Sequence, residues 1–577
     1  MNWIERDVSA EAVEALQAAG VELLMARLLA VRGVTPETLG FYFDPSLSML
    51  EPPESLPGIV EAAAEILAAV RAGKKIVVFG DYDCDGICAT AITIRTLKAL
   101  GATVAAFLPD RMLEGYGMTG PSVRRMLLEH PGTGLVVTVD NGINSVGEVA
   151  FLKSKGIGVV VTDHHLPGEM LPDCIIANPK VDSPASFEGL CGAGVAFFLS
   201  NALVARAREM GLYGGGKISP PLFVLAGLAT VTDLMPLCGQ NRVIVSAALR
   251  LFRSHAPVGL RELYGRAAKT GAEAMCVRDF SFGLGPRINA SGRMSNGQEA
   301  LGLLLADDVE EAREFSRKVD ARNVERKGVE QKMFNAAVRQ IVKGASAQVI
   351  ELEEGHKGVA GVVASRVLEH IAKEGSSPVP VAVVVGLHGS LRAPEGYNVC
   401  AALSRSNAAL ERFGGHALAG GFTVKEGCME LFRELFPAAS AEQAGTMGGG
   451  TEGAAAIDAW VTPKDLSVGF VETLEKMAPF GEGNPEPRFA LRGVRLAEVK
   501  AIGEGRHLSV NIAEAGALRG VWWRNGEKEA FFKARRDSAF DVMFTASISN
   551  FGSERHVEMN ILAIAASEVR EEREDHA

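Results

Sequence analysis

Short, uninterrupted β-branched runs punctuate the first half of this chain: Ile76-Val77-Val78-Phe79, Leu135-Val136-Val137-Thr138-Val139 and Val159-Val160-Val161. Runs of this length with no polar alternation predict strands buried on both faces, as in parallel sheets. Such runs alternate with helical segments, at 87–100 and 193–210 among others, so residues 75–233 predict an α/β lobe. Apolar 222–231 predicts a helix or a strand that delivers Asp233. Ala-rich amphipathic stretches at 12–30 and 60–70 make residues 1–70 an N-terminal helical segment. From 309 to 341 the pattern is a long, charged amphipathic helix of the kind that bridges two lobes.

A second α/β unit is predicted from about residue 347. It has a strand at Val349-Ile350-Glu351-Leu352, a helix over 359–371, a strand over 379–385 and a Gly-rich end over 413–422. Residues 438–455, rich in Ala, Gly and Ser, predict a flexible linker. Alternation at 491–499, 508–512 and 540–548 predicts a small all-β module. The expected layout is therefore 1–70 helical, 71–305 first lobe, 306–345 connecting helix, 346–437 second lobe, 438–455 linker, 456–567 β module and 568–577 charged tail.

Composition narrows this picture. At 577 residues several domains are expected, and 47% apolar with 22% charged residues is the balance of a soluble globular protein. Glu5, Arg6 and Asp7 do not have the layout of a signal peptide, and no apolar run reaches membrane-spanning length. The eight cysteines are scattered; Cys84 and Cys88 have no answering pair, which argues against a zinc site and for a reduced, cytoplasmic setting. A net charge of −11 argues against nucleic acid at first sight. Residues 242–293, however, carry eight Arg and one Lys against three acids, a local balance of +6. Those charges are either solvated helix faces or a nucleic-acid surface, and an acidic metal cluster would consume negative charge that never faces a partner.

The candidate chemistry lies where the apolar runs end. The first runs into Gly80-Asp81-Tyr82-Asp83-Cys84-Asp85-Gly86, the second into Asp140-Asn141-Gly142, the third into Thr162-Asp163-His164-His165. Open α/β sheets place their sites at such carboxyl ends. Spacing of two in an extended segment would send Asp81, Asp83 and Asp85 to one side. Carboxylates suit Mg²⁺ or Mn²⁺, and imidazoles shift preference towards Mn²⁺. Alone, the first string could equally be a calcium-type loop or a helix-capping turn; Asp140, the Asp163 triplet and Asp233 weaken those readings. His164 is expected as a ligand and His165 as a phosphate-facing or proton-handling group. Two divalent ions held a few ångströms apart would suit phosphoester hydrolysis.

In this order, the four strings ending with Thr232-Asp233 resemble the motifs of the DHH phosphoesterase superfamily. Further strings resemble its RecJ group of single-stranded-DNA-specific exonucleases: Arg111 with Gly115-Tyr116-Gly117, Leu284 to Met294 (with Arg287, Asn289 and Arg293), His356-Lys357-Gly358-Val359-Ala360-Gly361, Gly389-Ser390-Leu391-Arg392, Gly414-Gly415-His416-Ala417 and Pro479-Phe480-Gly481-Glu482-Gly483-Asn484-Pro485-Glu486-Pro487. The resemblance runs from about residue 50 to 565. It implies two α/β lobes of DHH and DHHA1 type joined by a long helix, followed by a small OB-like β-barrel. It implies 5′→3′ hydrolysis of single-stranded DNA to mononucleotides with two Mn²⁺ or Mg²⁺ ions. Asp83, Asp85, Asp140, His164 and Asp233 would be ligands, Asp140 bridging, with Asp81 as a further ligand and His165 on the scissile phosphate.

Arg111, Ser390 and Arg392 would receive the 5′-terminal phosphate, a guanidinium–hydroxyl clamp that is chemically sensible for an anion. Tyr116, Arg287, Asn289, Arg293 and His416 would be further substrate contacts, and Gly414-Gly415 would let backbone amides approach phosphate. Trp522, Trp523, Phe551 and His507 could stack on bases in the β module or form its core. The resemblance also implies a monomer working with single-stranded-DNA-binding protein and a helicase in repair and recombination, away from membranes. Around Leu391-Arg392-Ala393-Pro394 the chain lacks a second small polar residue, and the Ala/Gly linker is long. The competing readings are a small-substrate member of the superfamily (an oligoribonuclease, a cyclic-dinucleotide phosphodiesterase or a pyrophosphatase) or a non-catalytic replication scaffold.

Overall fold

The computed structural model describes residues 3–115, 117–216, 219–267, 275–446, 455–513, 518–549 and 555–567. The chain forms two compact units. One comprises Glu51–Met235 and Gly239–Gly450; the other comprises Met1–Leu50, Pro236–Cys238 and Thr451–Ala577.

The first unit opens with a five-stranded, all-parallel sheet in the order Val104–Phe107, Lys75–Phe79, Thr133–Val139, Gly158–Thr162, Ile175–Ala177. The predicted apolar runs are its central strands; Cys84–Ala99 and Gly192–Glu209 pack together over one face, and Gly120–Glu129 and Val146–Ser154 cover the other with Val123, Met126, Val149 and Leu152. After Lys75–Phe79 the chain first builds outward to Val104–Phe107, then returns to the other side with Thr133–Val139. That reversal opens a crevice at the carboxyl ends of the two central strands, where parallel sheets bind ligands. Residues 222–231 fall in the helix Pro220–Thr232, which is apolar all round and buried.

The helix Val309–Val338 joins this lobe to a second sheet in the order Leu410–Gly415, Ala419–Val424, His388–Arg392, Val381–Val385, Gln348–Leu352. The Gly-rich end is a hairpin in which Gly414 pairs with Gly421 and Gly415 with Gly420. The linker expected over 438–455 is helical as far as Thr446, within Met429–Thr446. Alanine is the strongest helix former, and Ala439 and Ser440 are buried, so composition alone misled there.

In the second unit a seven-stranded sheet runs Ala459–Trp460, Phe489–Val494, Phe540–Ser549, His556–Ala566, Arg519–Trp522, His507–Ile512, Leu496–Ile502. The expected 1–70 segment divides between the units. Its strand Trp3–Glu5 pairs with Ala455–Ile457, and Val13, Leu16, Leu28 and Leu29 join the core of the β module. Arg32 sets the attachment. Its Nη1 reaches the buried Asp458 carboxylate at 3.2 Å and its Nη2 donates to the Pro485 carbonyl at 2.7 Å. Asn484 of the Pro-Phe-Gly string accepts from Tyr42 Oη at 2.8 Å and donates to the Met477 and Pro479 carbonyls, so that string is structural in this unit. The remainder of the expected 1–70 segment from Glu51, including the helix Ile59–Arg71, belongs to the first unit.

Candidate active site

Asp81, Asp83, Asp85, Asp140, His164, His165 and Asp233 converge on the crevice. The segment 81–85 is not extended, as its spacing suggested. Asp83 caps the helix Cys84–Ala99, accepting the Gly86 amide at 3.0 Å, and Asp85 lies in the first turn of that helix. The carboxylates therefore divide. Ligand atoms of Asp81, Asp83 and Asp140 lie within 4.8 Å of one another, as do those of Asp85, His164 and Asp233, and those of Asp140, His164 and His165. His164 Nε2 stands 3.1 Å from Asp140 Oδ1 and 3.7 Å from both Asp85 and Asp233 carboxylates.

Local structure explains the convergence. Asp140 has φ 63°, a left-handed conformation that Asp tolerates, so the chain reverses as it leaves its strand. Asn141 Nδ2 bridges the carbonyls of Phe79 and Val139 at 3.2 and 2.9 Å, tying the ends of the two central strands together. Asp85 points both oxygens at the start of the helix Gly192–Glu209, accepting the Gly192 and Ala193 amides at 2.7 Å each. A Cβ at Gly192 would lie 2.5 Å from Asp140 Cβ, so only glycine admits this close approach. Asp163 aims the second imidazole: its Oδ1 meets His165 Nδ1 at 2.7 Å and accepts the His164 and His165 amides, while Oδ2 accepts the Ile143 amide. It is a positioning residue for His165, visible in the sequence as the first letter of the triplet.

Asp81 is 0% exposed, and neither of its oxygens has a hydrogen-bond partner among the described residues; the same is true of Asp233 Oδ2. Burial, reinforced by the neighbouring carboxylates, raises Asp81, Asp83 and Asp140 above the ordinary carboxylate range and pushes Asp233 up to about 9. Burial also lowers His164. His165 is raised, because the Asp163 bond outweighs burial. Buried, partnerless carboxylate oxygens crowded together call for protons or hard cations, and the donor set fits divalent cations.

The remaining candidates take different places. Arg111, Ser390 and His416 line a cleft of about 990 Å³ that also reaches His165. Arg392 is mostly buried; burial and then the Arg111 charge lower its pKa. The His416 amide is spent on the Ala419 carbonyl at 2.8 Å, closing the hairpin rather than facing a phosphate. Arg287, Asn289 and Arg293 lie on the helix Gly285–Met294. Arg287 pairs with Asp320 at 2.8 Å, Asn289 accepts the Cys84 amide at 2.7 Å, and half-buried Arg293 donates to the Gly358 carbonyl at 3.3 Å. Burial, then Arg111, Arg326 and Arg392, hold Arg293 down to about 10. In the β module Trp522 packs on the core, whereas Trp523 is exposed against His507, ring centroids 4.8 Å apart. Tyr116 and Phe551 lie outside the described residues.

Sequence comparison finds the DHH family, N-terminal domain, over residues 75–218 and the RecJ OB domain over residues 457–563. The single-stranded-DNA-specific exonuclease RecJ of Thermus thermophilus is 37% identical over 486 residues, covering 84% of this chain and 68% of the relative. The Escherichia coli protein of the same name is 33% identical, covering 88% and 91%. The crystal structure of Thermus thermophilus RecJ in complex with Mn²⁺ superposes with a TM-score of 0.82 at 31% identity, covering 98% of this chain and 80% of that one. The chain therefore belongs to the RecJ family of single-stranded-DNA-specific exonucleases.

Proposed function

We infer that this protein is a metal-dependent exonuclease that hydrolyses single-stranded DNA from its 5′ end and releases 5′-mononucleotides. One observation carries the reading: two three-donor sets, Asp81/Asp83/Asp140 and Asp85/His164/Asp233, are linked by the 3.1 Å approach of Asp140 to His164. Each set would hold one Mn²⁺ or Mg²⁺, with Asp140 between them. Two such ions supply Lewis-acid stabilisation to the attacking and leaving oxygens of a phosphate displacement. A Mn²⁺ complex and a Mg²⁺ complex of the Thermus thermophilus relative support that choice of ion.

The chain's own groups do the rest. His165, fixed by Asp163, faces the cleft and would donate to the scissile phosphate. Arg111 and Ser390 on the cleft wall, with Arg392 beside them, receive the terminal phosphate and so set the direction of digestion. Trp523 and His507 offer a stacking surface for bases on the β module. We place the protein in the cytoplasm as a monomer that cooperates with single-stranded-DNA-binding protein and a helicase. No helix among the described residues is long and apolar enough to cross a membrane.

The test is a digest of one sequence as single-stranded DNA, duplex DNA and RNA, labelled at either end, with Mn²⁺ or with chelator. The expected result is release of the 5′ label as mononucleotide from single-stranded DNA alone, and only with metal. Release from the 3′ end first, or equal digestion of duplex, would overturn the reading.

A further inference from the structure

The loop 110–115 carries Arg111, and groups with no part in the hydrolysis described above hold it from two sides. Asp110 begins the turn: its Oδ1 accepts the Met112 and Leu113 amides at 2.8 and 3.2 Å. Glu114 closes it, donating its amide to the Asp110 carbonyl at 2.8 Å and accepting the Asp110 amide on Oε2 at 2.7 Å. The same carboxylate takes both prongs of Arg125, Nε to Oε1 at 2.7 Å and Nη2 to Oε2 at 2.8 Å. Arg125 Nη2 also donates to the Leu108 carbonyl at 2.9 Å, and its guanidinium stands 4.2 Å from the Phe107 ring centroid. Phe107 is the buried last residue of its strand, packed on Phe79 at 4.9 Å. A chain of contacts thus runs from the sheet core through Arg125 and Glu114 to the backbone on both sides of Arg111.

The second hold comes from the other lobe of the same unit, where Lys357 Nζ donates to the Met112 carbonyl at 2.5 Å. Arg111 itself rests over the Tyr82 ring, 5.2 Å from its centroid. An exposed, single-pronged ion pair would contribute little. This one is bidentate, its Glu114 side chain is only 8% exposed, and the pair's remaining bonds go to the Asp110 amide, the Leu108 carbonyl and, from Arg125 Nη1, the Glu129 carboxylate. Such a fork fixes geometry, and geometry is what an anion clamp shared between two lobes requires.

Resting on the reading that Arg111 receives the 5′-terminal phosphate, we propose that Glu114 and Arg125 are positioning residues for recognition of that phosphate. They set the loop backbone that aims Arg111, and Lys357 ties the loop to the lobe bearing Ser390 and Arg392.

The experiment compares kcat/KM on two single-stranded oligomers that differ only in a 5′-phosphate or 5′-hydroxyl, with Mn²⁺ and the full-length protein. Glu114→Gln removes one side of the fork; Arg125→Lys keeps the charge but loses the second prong, and carries the comparison if the first variant fails to fold. Each is expected to lower the phosphate-to-hydroxyl preference about tenfold, the loss of one charge-assisted contact. Arg111→Ala is the reference arm, and Glu114→Gln added to it should lower the preference no further, since both act on one contact. Equal losses on the two oligomers, or a preference loss that adds to that of Arg111→Ala, would overturn the proposal. A preference unchanged by Arg111→Ala itself would instead sink the end-reading on which it rests.

Discussion

The side-chain oxygen of Asn289 accepts the amide proton of Cys84 at 2.7 Å. Cys84 stands between Asp83 and Asp85, so a residue two hundred positions away sets the backbone that presents two of the proposed ligands. Asn289→Ala should weaken Mn²⁺ binding about ten- to a hundredfold, as loss of outer support for ligands generally does. Asn289→Asp, which keeps the acceptor, should bind more tightly than the alanine variant. Titration calorimetry decides; unchanged affinity in Asn289→Ala would count against the support.

Gly192 should tolerate no side chain. A Cβ there would meet Asp140 Cβ at 2.5 Å and Oδ1 at 2.6 Å, displacing the carboxylate proposed to lie between the ions. Gly192→Ala is expected to lower turnover about a hundredfold, the cost of an ångström-scale misplacement. Gly147→Ala, where a Cβ meets nothing within 4 Å, is the control and should leave turnover unchanged.

The crowded carboxylates make metal-free stability depend on pH. Burial and mutual repulsion raise Asp81, Asp83 and Asp140 and push Asp233 up to about 9. Between the unfolded carboxylate pKa near ~4 and these raised values, the folded chain holds protons that the unfolded chain has released. Stability present at low pH is therefore lost as pH rises towards 9. In chelator the thermal midpoint should fall from about pH 6 to pH 8.5, and Asp140→Asn should flatten the fall. Stabilisation by Mn²⁺ should grow over the same range. A midpoint that rises with pH in chelator, more so in the wild type than in Asp140→Asn, would refute the sign.

Leu234 holds φ 57° immediately after Asp233, with its side chain 71% exposed. The turn is one that glycine normally makes at a helix end, the Met235 amide returning to the Thr230 carbonyl at 3.1 Å. Leu234→Gly should stabilise the fold by about 1 kcal/mol through relief of left-handed strain. A lower urea midpoint would show that the leucine's contacts outweigh the strain.

The site candidates were legible because their local grammar is simple: an apolar strand ends, and an acid or imidazole follows at the mouth of the sheet. Role was less legible than membership. Arg287 and Asn289 occur in a string that suggests substrate contact, yet Asp320 takes Arg287 Nε and the Cys84 amide takes the Asn289 side-chain oxygen. Sequence spacing cannot show which way a helix face turns. Residues 438–446 failed for the opposite reason: their composition suits a linker in isolation, yet the segment continues a helix on which Ala439 packs in one core with Phe432 and Phe436.

By itself the sequence determined the central strands of the first sheet, the bridging helix, the acidic strand ends and the β module, since each depends on residues within a few positions of one another. Tertiary structure decided the rest. It parted the carboxylates into two donor sets, because Asp83 caps a helix that Asp85 enters. It gave Asp85 its partners at Gly192 and Ala193, and joined residues 1–50 to the β module through Arg32 and Asp458. Those outcomes depend on which distant groups meet once apolar faces are buried, and polar atoms taken out of water must then find partners across the fold.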